Sequence, residues 1–291
     1  MHPGNKKWIY LAILSLIWGS SFILIKKGLI GLTPLQLGAL RIVISGIFIF
    51  IFGFHTLKNI KVKQWKWLII SGFIGTFFPA FLFAFAETEI DSAVASILNS
   101  LTPLNTILIG FSIFKIASST RQIIGVIIGF IGTALLILKG ADLNPDQNYL
   151  YAGFVVMATI MYGTNVNIIK KHLQEVKAIT IAVGNFTAIM IPAIIVLFST
   201  DFVDKASFQN EAFVKSVGYV IILSAFGTAM AKVLFNKLVQ MSTPVFASSV
   251  TYSMPVVALI WGVLDGEGFS VIQGLATILI LLGIYMANKN N

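Results

Sequence analysis

Ten runs of about 20 mostly apolar residues follow one another along the chain and restrict it to one class of fold. Each run is long enough for one α-helix to cross the hydrocarbon core of a bilayer. The runs cover residues 8–28, 34–54, 66–86, 92–114, 121–139, 149–169, 178–199, 217–238, 243–264 and 269–287. They are continuously apolar and do not alternate as barrel strands do. We therefore expect an all-α membrane protein with ten transmembrane helices.

The composition narrows the possible functions. Of the 291 residues, 57% are hydrophobic and 11% are charged, which is typical of a membrane protein. The net charge of +9 comes from lysines in short connectors and not from one continuous basic face, so we expect no nucleic-acid partner. The chain has no cysteine, and none of its three histidines lies inside an apolar run. We expect no catalytic residue, no metal site and no cofactor.

Charges in the connectors predict the orientation of the helices. With a cytoplasmic N terminus, most lysine and arginine residues fall on the inner side, and nearly all aspartate and glutamate residues fall on the outer side. This distribution follows the positive-inside rule, so we expect both termini in the cytoplasm and the protein in a bacterial inner membrane. The first run lacks a clear cleavage site and should remain in the membrane.

The second half of the sequence repeats the first. WGSSFILIKK at residues 18–27 returns as YGTNVNIIKK at residues 162–171, and Gly75-Thr76 returns as Gly227-Thr228. The two copies are five spans apart, and this odd number predicts that the second copy enters the membrane from the opposite side. We expect two inverted five-helix repeats, residues 1–140 and 141–291, with a site near their interface.

The motifs WGSSF in the first span and ALR in the second, together with the prolines of the fourth and ninth spans, resemble the EamA family of the drug/metabolite transporter superfamily. The resemblance covers nearly the whole chain. It implies a central cavity lined mainly by the first four helices of each half, and export of small metabolites such as amino acids. It also implies that the fifth and tenth helices lie at the periphery. The particular substrate does not transfer from the family.

Arg41 and Lys232 lie inside predicted spans and are candidates for binding an anionic substrate. An arginine within a span costs about 2.5–3.5 kcal/mol to insert and normally faces protein or a wet cavity. Its guanidinium suits a carboxylate or phosphate, and the alternative is a structural arginine bonded to helix carbonyls. Lys232 lies near the cytoplasmic end of its span, where it either contacts substrate or extends to the membrane surface.

Residues of the repeated motif are the next candidates for the site. Trp18 and Ser21 in the first span, with Tyr162 and Asn165 in the sixth, combine a ring that stacks on a ligand with small polar side chains. They lie several turns from the lysines that end each helix, which favours a cavity over an interfacial position. The alternative is a packing seam of small residues.

Polar stripes in the fourth and ninth spans complete the predicted site. Asn99 belongs to a series of polar residues spaced three or four apart in the fourth span, and Tyr252 belongs to the matching series in the ninth. Asn185 aligns approximately with Arg41 and is a candidate hydrogen-bond donor. Pro103 and Pro255 interrupt helix hydrogen bonding and are candidate hinges. Ordinary helix packing explains these stripes equally well.

These features favour a secondary transporter that exports small polar metabolites by alternating access. A facilitative carrier or a drug exporter of the same fold is the alternative, because no acidic residue lies well inside a span and Glu87 is the nearest. A lipid enzyme would need a catalytic constellation at membrane depth, and a channel would need a charged ring or a carbonyl filter. We expect a small-molecule substrate, a lipid bilayer, and a monomer or weak homodimer.

Overall fold

The apolar runs form helices. The computed structural model describes residues 3–90, 92–140, 148–204, 209–264 and 271–288, and these residues contain no β-strand. The α-helices are α1 (Pro3–Gly19), α2 (Ser21–Gly28), α3 (Pro34–Gly53), α4 (Val62–Gly72), α5 (Phe78–Glu89), α6 (Ser92–Asn99), α7 (Thr102–Ile109), α8 (Thr120–Gly140), α9 (Ala152–His172), α10 (Ala178–Phe198), α11 (Glu211–Ile222), α12 (Ala231–Met241), α13 (Pro244–Ser248), α14 (Val250–Leu264) and α15 (Val271–Asn288).

Six continuous helical stretches within these ranges are long and apolar enough to cross a bilayer. They are Lys6–Gly28, Pro34–Asn59, Val62–Glu89, Ala152–His172, Ala178–Phe198 and Glu211–Met241. Shorter apolar helices occupy Thr102–Phe114, Thr120–Gly132 and Gly274–Ala287. The chain is therefore a multi-pass membrane protein, and the full plan of ten spans stays a prediction.

Several helices are interrupted where the repeated motifs lie. α1 ends at Gly19 and α2 begins at Ser21. Two of the long stretches remain continuous but pass through π-helical turns at Phe73–Phe77 and Leu223–Met230. Each of these π-turns contains a repeated Gly-Thr pair. A π-turn inside a long helix is often found at a functional site, because it widens the helix locally and changes the backbone pairing.

Buried apolar side chains form two large clusters, and both combine the two halves of the chain. One cluster includes Leu14 from the first half and Phe246 from the second. The other includes Ile42 from the first half and Phe186 from the second. In the part of the chain that the structure describes, the core is thus shared between the halves.

The helices α8 and α15 pack against each other through glycines. A Cβ atom on Gly283 would lie 2.6 Å from the Cα atom of Gly129, and one on Gly125 would lie 2.8 Å from the carbonyl oxygen of Gly283. Glycine therefore lets the two backbones come into direct contact. The GxxxG sequence of α8 serves packing within the chain.

Candidate functional site

A cavity of about 120 Å³ lies between helices of the two halves. Its lining includes residues of both π-turns that contain the Gly-Thr pairs, and of α1, α2, α3, α5, α6, α7, α9, α12, α13 and α14. Among the residues predicted for the site, the cavity brings together Trp18, Ser21, Arg41, Asn99, Tyr162, Asn165 and Lys232. These residues come from distant parts of the sequence, so only the folded helix bundle brings them to one place.

The two copies of the repeated motif pack on the two π-turns in an equivalent way. Ser21 of α2 lies over Gly227, where an added Cβ atom would come within 2.8 Å of the serine Oγ. Asn165 of α9, the counterpart of Ser21, lies over Gly75, where an added Cβ atom would overlap the asparagine side chain. Each glycine thus allows a helix from one half to approach the π-turn of the other half closely.

Each π-turn also receives a hydrogen bond from a side chain of the other half. The indole Nε1 of Trp18 donates to the carbonyl oxygen of Gly227 at 2.9 Å. The Nζ of Lys232 donates to the carbonyl oxygen of Gly75 at 3.2 Å. Both carbonyl oxygens lie within membrane-spanning helices, where water is not available as a partner, and these bonds satisfy them. We refer to this pair of bonds as the exchanged hydrogen bonds.

Arg41 and Lys232 bring two basic side chains to the cavity. The Nε of Arg41 donates to the Oγ1 of Thr228 at 2.6 Å, and the carboxyl group of Glu87 lies close enough to attract the guanidinium. Lys232 is only 6% exposed. Aspartate and glutamate are absent from the described residues that line the cavity. The lining therefore suits a ligand with a negatively charged group.

Aromatic rings form much of the apolar wall. The ring centroids of Trp18 and Phe235 are 5.1 Å apart. Those of Phe83 and Tyr162 are 6.2 Å apart, with the two rings inclined by only 24°. Rings in such arrangements present flat apolar surfaces on which the body of a small ligand packs.

The polar atoms on the rest of the wall differ in whether they have partners. The Nδ2 of Asn99 lies 3.7 Å from the Sδ of Met254, its acceptor in a weak hydrogen bond. The hydroxyl of Thr76 is buried and has no hydrogen-bond partner among the residues described. Its counterpart in the repeat, Thr228, accepts the bond from Arg41. The two halves of the cavity are therefore similar in backbone and different in polar contacts.

Two residues predicted for the site lie outside the cavity. Asn185 packs against α4, where its Nδ2 donates to the carbonyl oxygen of Leu68 at 2.6 Å. Tyr252 packs against α8, where its hydroxyl donates to the carbonyl oxygen of Val126 at 2.9 Å. Neither is among the residues that line the cavity, since each points its polar group at a neighbouring helix. Their role in substrate binding stays a prediction.

The two prolines predicted as hinges occupy different places in their helices. Pro103 lies in the first turn of α7, directly after the break that separates α6 from α7. Pro255 lies inside α14, where it cannot donate a backbone hydrogen bond to the preceding turn. Their role as hinges stays a prediction.

Several residues of the lining were not predicted from the sequence as site residues: Phe22, Thr76, Phe83, Thr228, Phe235 and Met254. The two threonines could have been predicted from the sequence, because they belong to the repeated Gly-Thr pairs. No sequence feature indicated the aromatic residues or the methionine, since apolar side chains occur on every face of these helices.

The described ranges hold no group of three or more histidine, aspartate or glutamate side chains that could bind a metal ion. The long apolar helices enclose a cavity with two basic side chains and an aromatic wall. Together these features define a multi-pass membrane protein with an internal cavity for a small ligand.

Residues 6–138 and 150–289 both match the EamA-like transporter family. The chain belongs to that family, within the drug/metabolite transporter superfamily.

Relatives of similar length include proteins with transporter names. An uncharacterized transporter of Archaeoglobus fulgidus is 24% identical over 97% of this chain and 98% of the relative. The uncharacterized inner membrane transporter YedA of Escherichia coli is 26% identical over 95% and 90%. Protein PecM of Dickeya dadantii is 27% identical over 85% and 80%.

One solved crystal structure of a protein matches the fold with a TM-score of 0.72. The match covers 97% of this chain and 96% of that structure, at 16% sequence identity. It shows that the two chains share a fold.

Proposed function

We propose that the protein is a secondary transporter that exports small polar metabolites, such as amino acids, from a bacterial cell. It works by alternating access around the central cavity, between two inverted five-helix repeats at residues 1–140 and 141–291. Both termini face the cytoplasm, and the chain acts as a monomer or weak homodimer. The inner membrane location agrees with the name of the Escherichia coli relative.

The observation that carries this proposal is one cavity with polar residues from both halves. The proposed substrate-binding residues are Trp18, Ser21, Arg41, Asn99, Tyr162, Asn165 and Lys232. A site shared by two halves changes its access when one half moves against the other, which is what alternating access requires.

The charges of the cavity support a substrate with a carboxylate or phosphate. Among the side-chain nitrogens of Arg41, only Nε donates to a residue that the structure describes. Its two Nη groups therefore keep their donors for a substrate. Lys232 donates one hydrogen bond to the carbonyl oxygen of Gly75, and its amino group keeps further donors. In this proposal the two cations hold the anionic group, and the aromatic wall packs on the remainder of the substrate.

In this proposal the repeat-equivalent contacts are the two interfaces at which one half moves against the other. α2 rests on the π-turn at Leu223–Met230, and α9 rests on the π-turn at Phe73–Phe77. In this proposal the break before Pro103 and the position of Pro255 within α14 act as hinges, because a proline leaves helix carbonyls without their usual donors.

A counterflow assay in proteoliposomes, with amino acids and small organic anions as test solutes, tests the proposal. Arg41→Gln and Lys232→Gln should each reduce exchange of anionic solutes much more than exchange of neutral ones. Lys237→Gln is the matched control, because Lys237 lies on α12 with Lys232 but is exposed. Absence of exchange by folded, correctly oriented protein would overturn the carrier proposal. Equal loss for every solute, with poor expression, would instead assign Arg41 a structural role.

A further inference from the structure

A second, larger cavity of about 510 Å³ lies away from the central one, where several long helices end. Its walls come from the end of the π-turn at Gly110–Phe114, the last turns of α9 and the start of α13. Because most of these segments are helix termini, we expect the cavity to lie at the level where a bilayer changes from acyl chains to headgroups.

Three lysines give this cavity a strong positive charge. Lys115, Lys170 and Lys171 line it, and the described lining contains no aspartate or glutamate. Lys170 donates to the carbonyl oxygen of Ser242 at 2.8 Å, and Lys171 donates to that of Phe114 at 2.6 Å. Each ammonium has three donors, so these bonds fix the side chains and leave further donors for an anion.

An asparagine adds an unused acceptor to the same cavity. Asn167 is fully buried, and its Nδ2 donates to the carbonyl oxygens of Thr106 and Gly163, both at 2.9 Å. Its Oδ1 has no hydrogen-bond partner within the described ranges, and it lies 2.9 Å from the position of an added Cβ on Gly110. Asn167 and Gly110 both line the cavity, so a ligand hydroxyl there would satisfy this oxygen.

Apolar surfaces that face outward flank the cavity. On the π-turn side, Phe111 is 70% exposed and Ile113 is 66% exposed. On α8, the exposed side chains include Ile123 and Ile127. In a membrane these surfaces contact acyl chains, so a basic cavity lies beside two surfaces that bind lipid tails.

We propose that this cavity binds the headgroup of an anionic phospholipid. The three lysines hold the phosphate, Asn167 accepts a hydrogen bond from a headgroup hydroxyl, and the acyl chains lie along the flanking apolar surfaces. A soluble phosphate has the same phosphate group as the lipid headgroup. The flanking apolar surfaces favour the lipid, because they bind acyl chains. This site is independent of the transport proposal, because it uses none of the residues of the central cavity.

Native mass spectrometry of the detergent-solubilised protein tests this site. The probes are phosphatidylglycerol, which has a phosphate and headgroup hydroxyls, and phosphatidylcholine, whose headgroup has no net charge. We expect retention of phosphatidylglycerol over phosphatidylcholine. Removing one lysine near the membrane surface should weaken binding of phosphatidylglycerol about fivefold, and removing two should weaken it about 25-fold.

The substitutions are chosen to remove charge with little disturbance of the fold. Lys115 has a φ of 57°, which asparagine tolerates well, so Lys115→Asn removes the charge without new backbone strain. Lys171→Gln keeps an amide donor for the carbonyl of Phe114, and Lys171→Arg keeps the charge and should retain the lipid. Lys27→Gln is the matched control, because Lys27 is the counterpart of Lys171 in the repeated motif and lies outside this cavity.

Three results would overturn the proposal. The first is unchanged retention of phosphatidylglycerol by the Lys115→Asn, Lys171→Gln double variant. The second is an equal loss in Lys27→Gln. The third is displacement of phosphatidylglycerol by millimolar inorganic phosphate, which would assign the cavity to a soluble anion. Loss of lipid in Lys171→Gln with retention in Lys171→Arg would support the proposal and exclude general unfolding as the cause.

Discussion

Thr228 and Thr76 offer a matched pair of substitutions with different expected results. They occupy equivalent positions of the repeat, line the same cavity and are almost equally buried, at 6% and 7% exposed. Thr228 accepts a bond of 2.6 Å from the Nε of Arg41. The hydroxyl of Thr76 is buried without a partner among the described residues. Valine has nearly the shape of threonine, so either substitution mainly removes a hydroxyl.

Thr228→Val removes the acceptor of a bond from a charged group and should lower the free energy of unfolding by about 1.5–3 kcal/mol. Thr76→Val removes a buried hydroxyl without a partner, so the free energy of unfolding should stay within about 0.5 kcal/mol or rise. Reversible unfolding in mixed detergent micelles measures both. In counterflow, the KM for an anionic substrate should increase about tenfold or more for Thr228→Val only, because Arg41 loses its orientation.

A double-mutant cycle with Arg41→Gln isolates the pairwise contribution. The coupling energy between Thr228→Val and Arg41→Gln should be about 1.5–3 kcal/mol, and that between Thr76→Val and Arg41→Gln should be near zero. Equal losses from the two Thr→Val substitutions, or a coupling near zero for Thr228, would refute the reasoning that Thr228 orients the guanidinium.

Further predictions concern topology and packing. In this cysteine-free chain Val62 and Val203 are exposed, and an impermeant maleimide added to intact cells should label Val203→Cys and not Val62→Cys. Gly283→Ala should lower the free energy of unfolding by about 1–3 kcal/mol, whereas Gly218→Ala, with open space around it, should raise it by about 0.5–1 kcal/mol. Tyr252→Phe should cost about 1 kcal/mol and leave the counterflow KM unchanged, since its hydroxyl bonds outside the cavity. External labelling of Val62→Cys, unaltered stability of Gly283→Ala or a changed KM in Tyr252→Phe would contradict the respective prediction.

Six of the ten predicted spans are long apolar helices in the described ranges. They were readable from the sequence because a bilayer demands such helices, and that demand acts on every residue of a run. The repeated motif was readable for a similar reason. Its copies contact equivalent π-turns, so Ser21 and Asn165 keep equivalent positions although their side chains differ. The π-turns themselves were not readable, because a π-turn and an α-turn have no distinct apolar pattern.

The sequence did not determine how deep in the membrane a residue lies, or which face of a helix meets the cavity. Lys232 falls near the predicted end of its span, which allowed an extension to the membrane surface. The helix continues to Met241, and the lysine bonds to Gly75 at the central cavity instead. Asn185 and Tyr252 lie on helices that line or adjoin the cavity. A small rotation of a helix decides which of its faces meets the cavity. In a run that is apolar on every face, no periodic pattern indicates that rotation.

The exchanged hydrogen bonds make the halves depend on each other while the chain is being made. A fragment that ends at residue 140 contains the Trp18 indole and lacks the Gly227 carbonyl that accepts from it. The complementary fragment contains Lys232 and lacks Gly75. The first half should therefore remain incompletely packed in the membrane until the second half has been synthesised. Two fragments produced separately should reach the native fold only when they are expressed together.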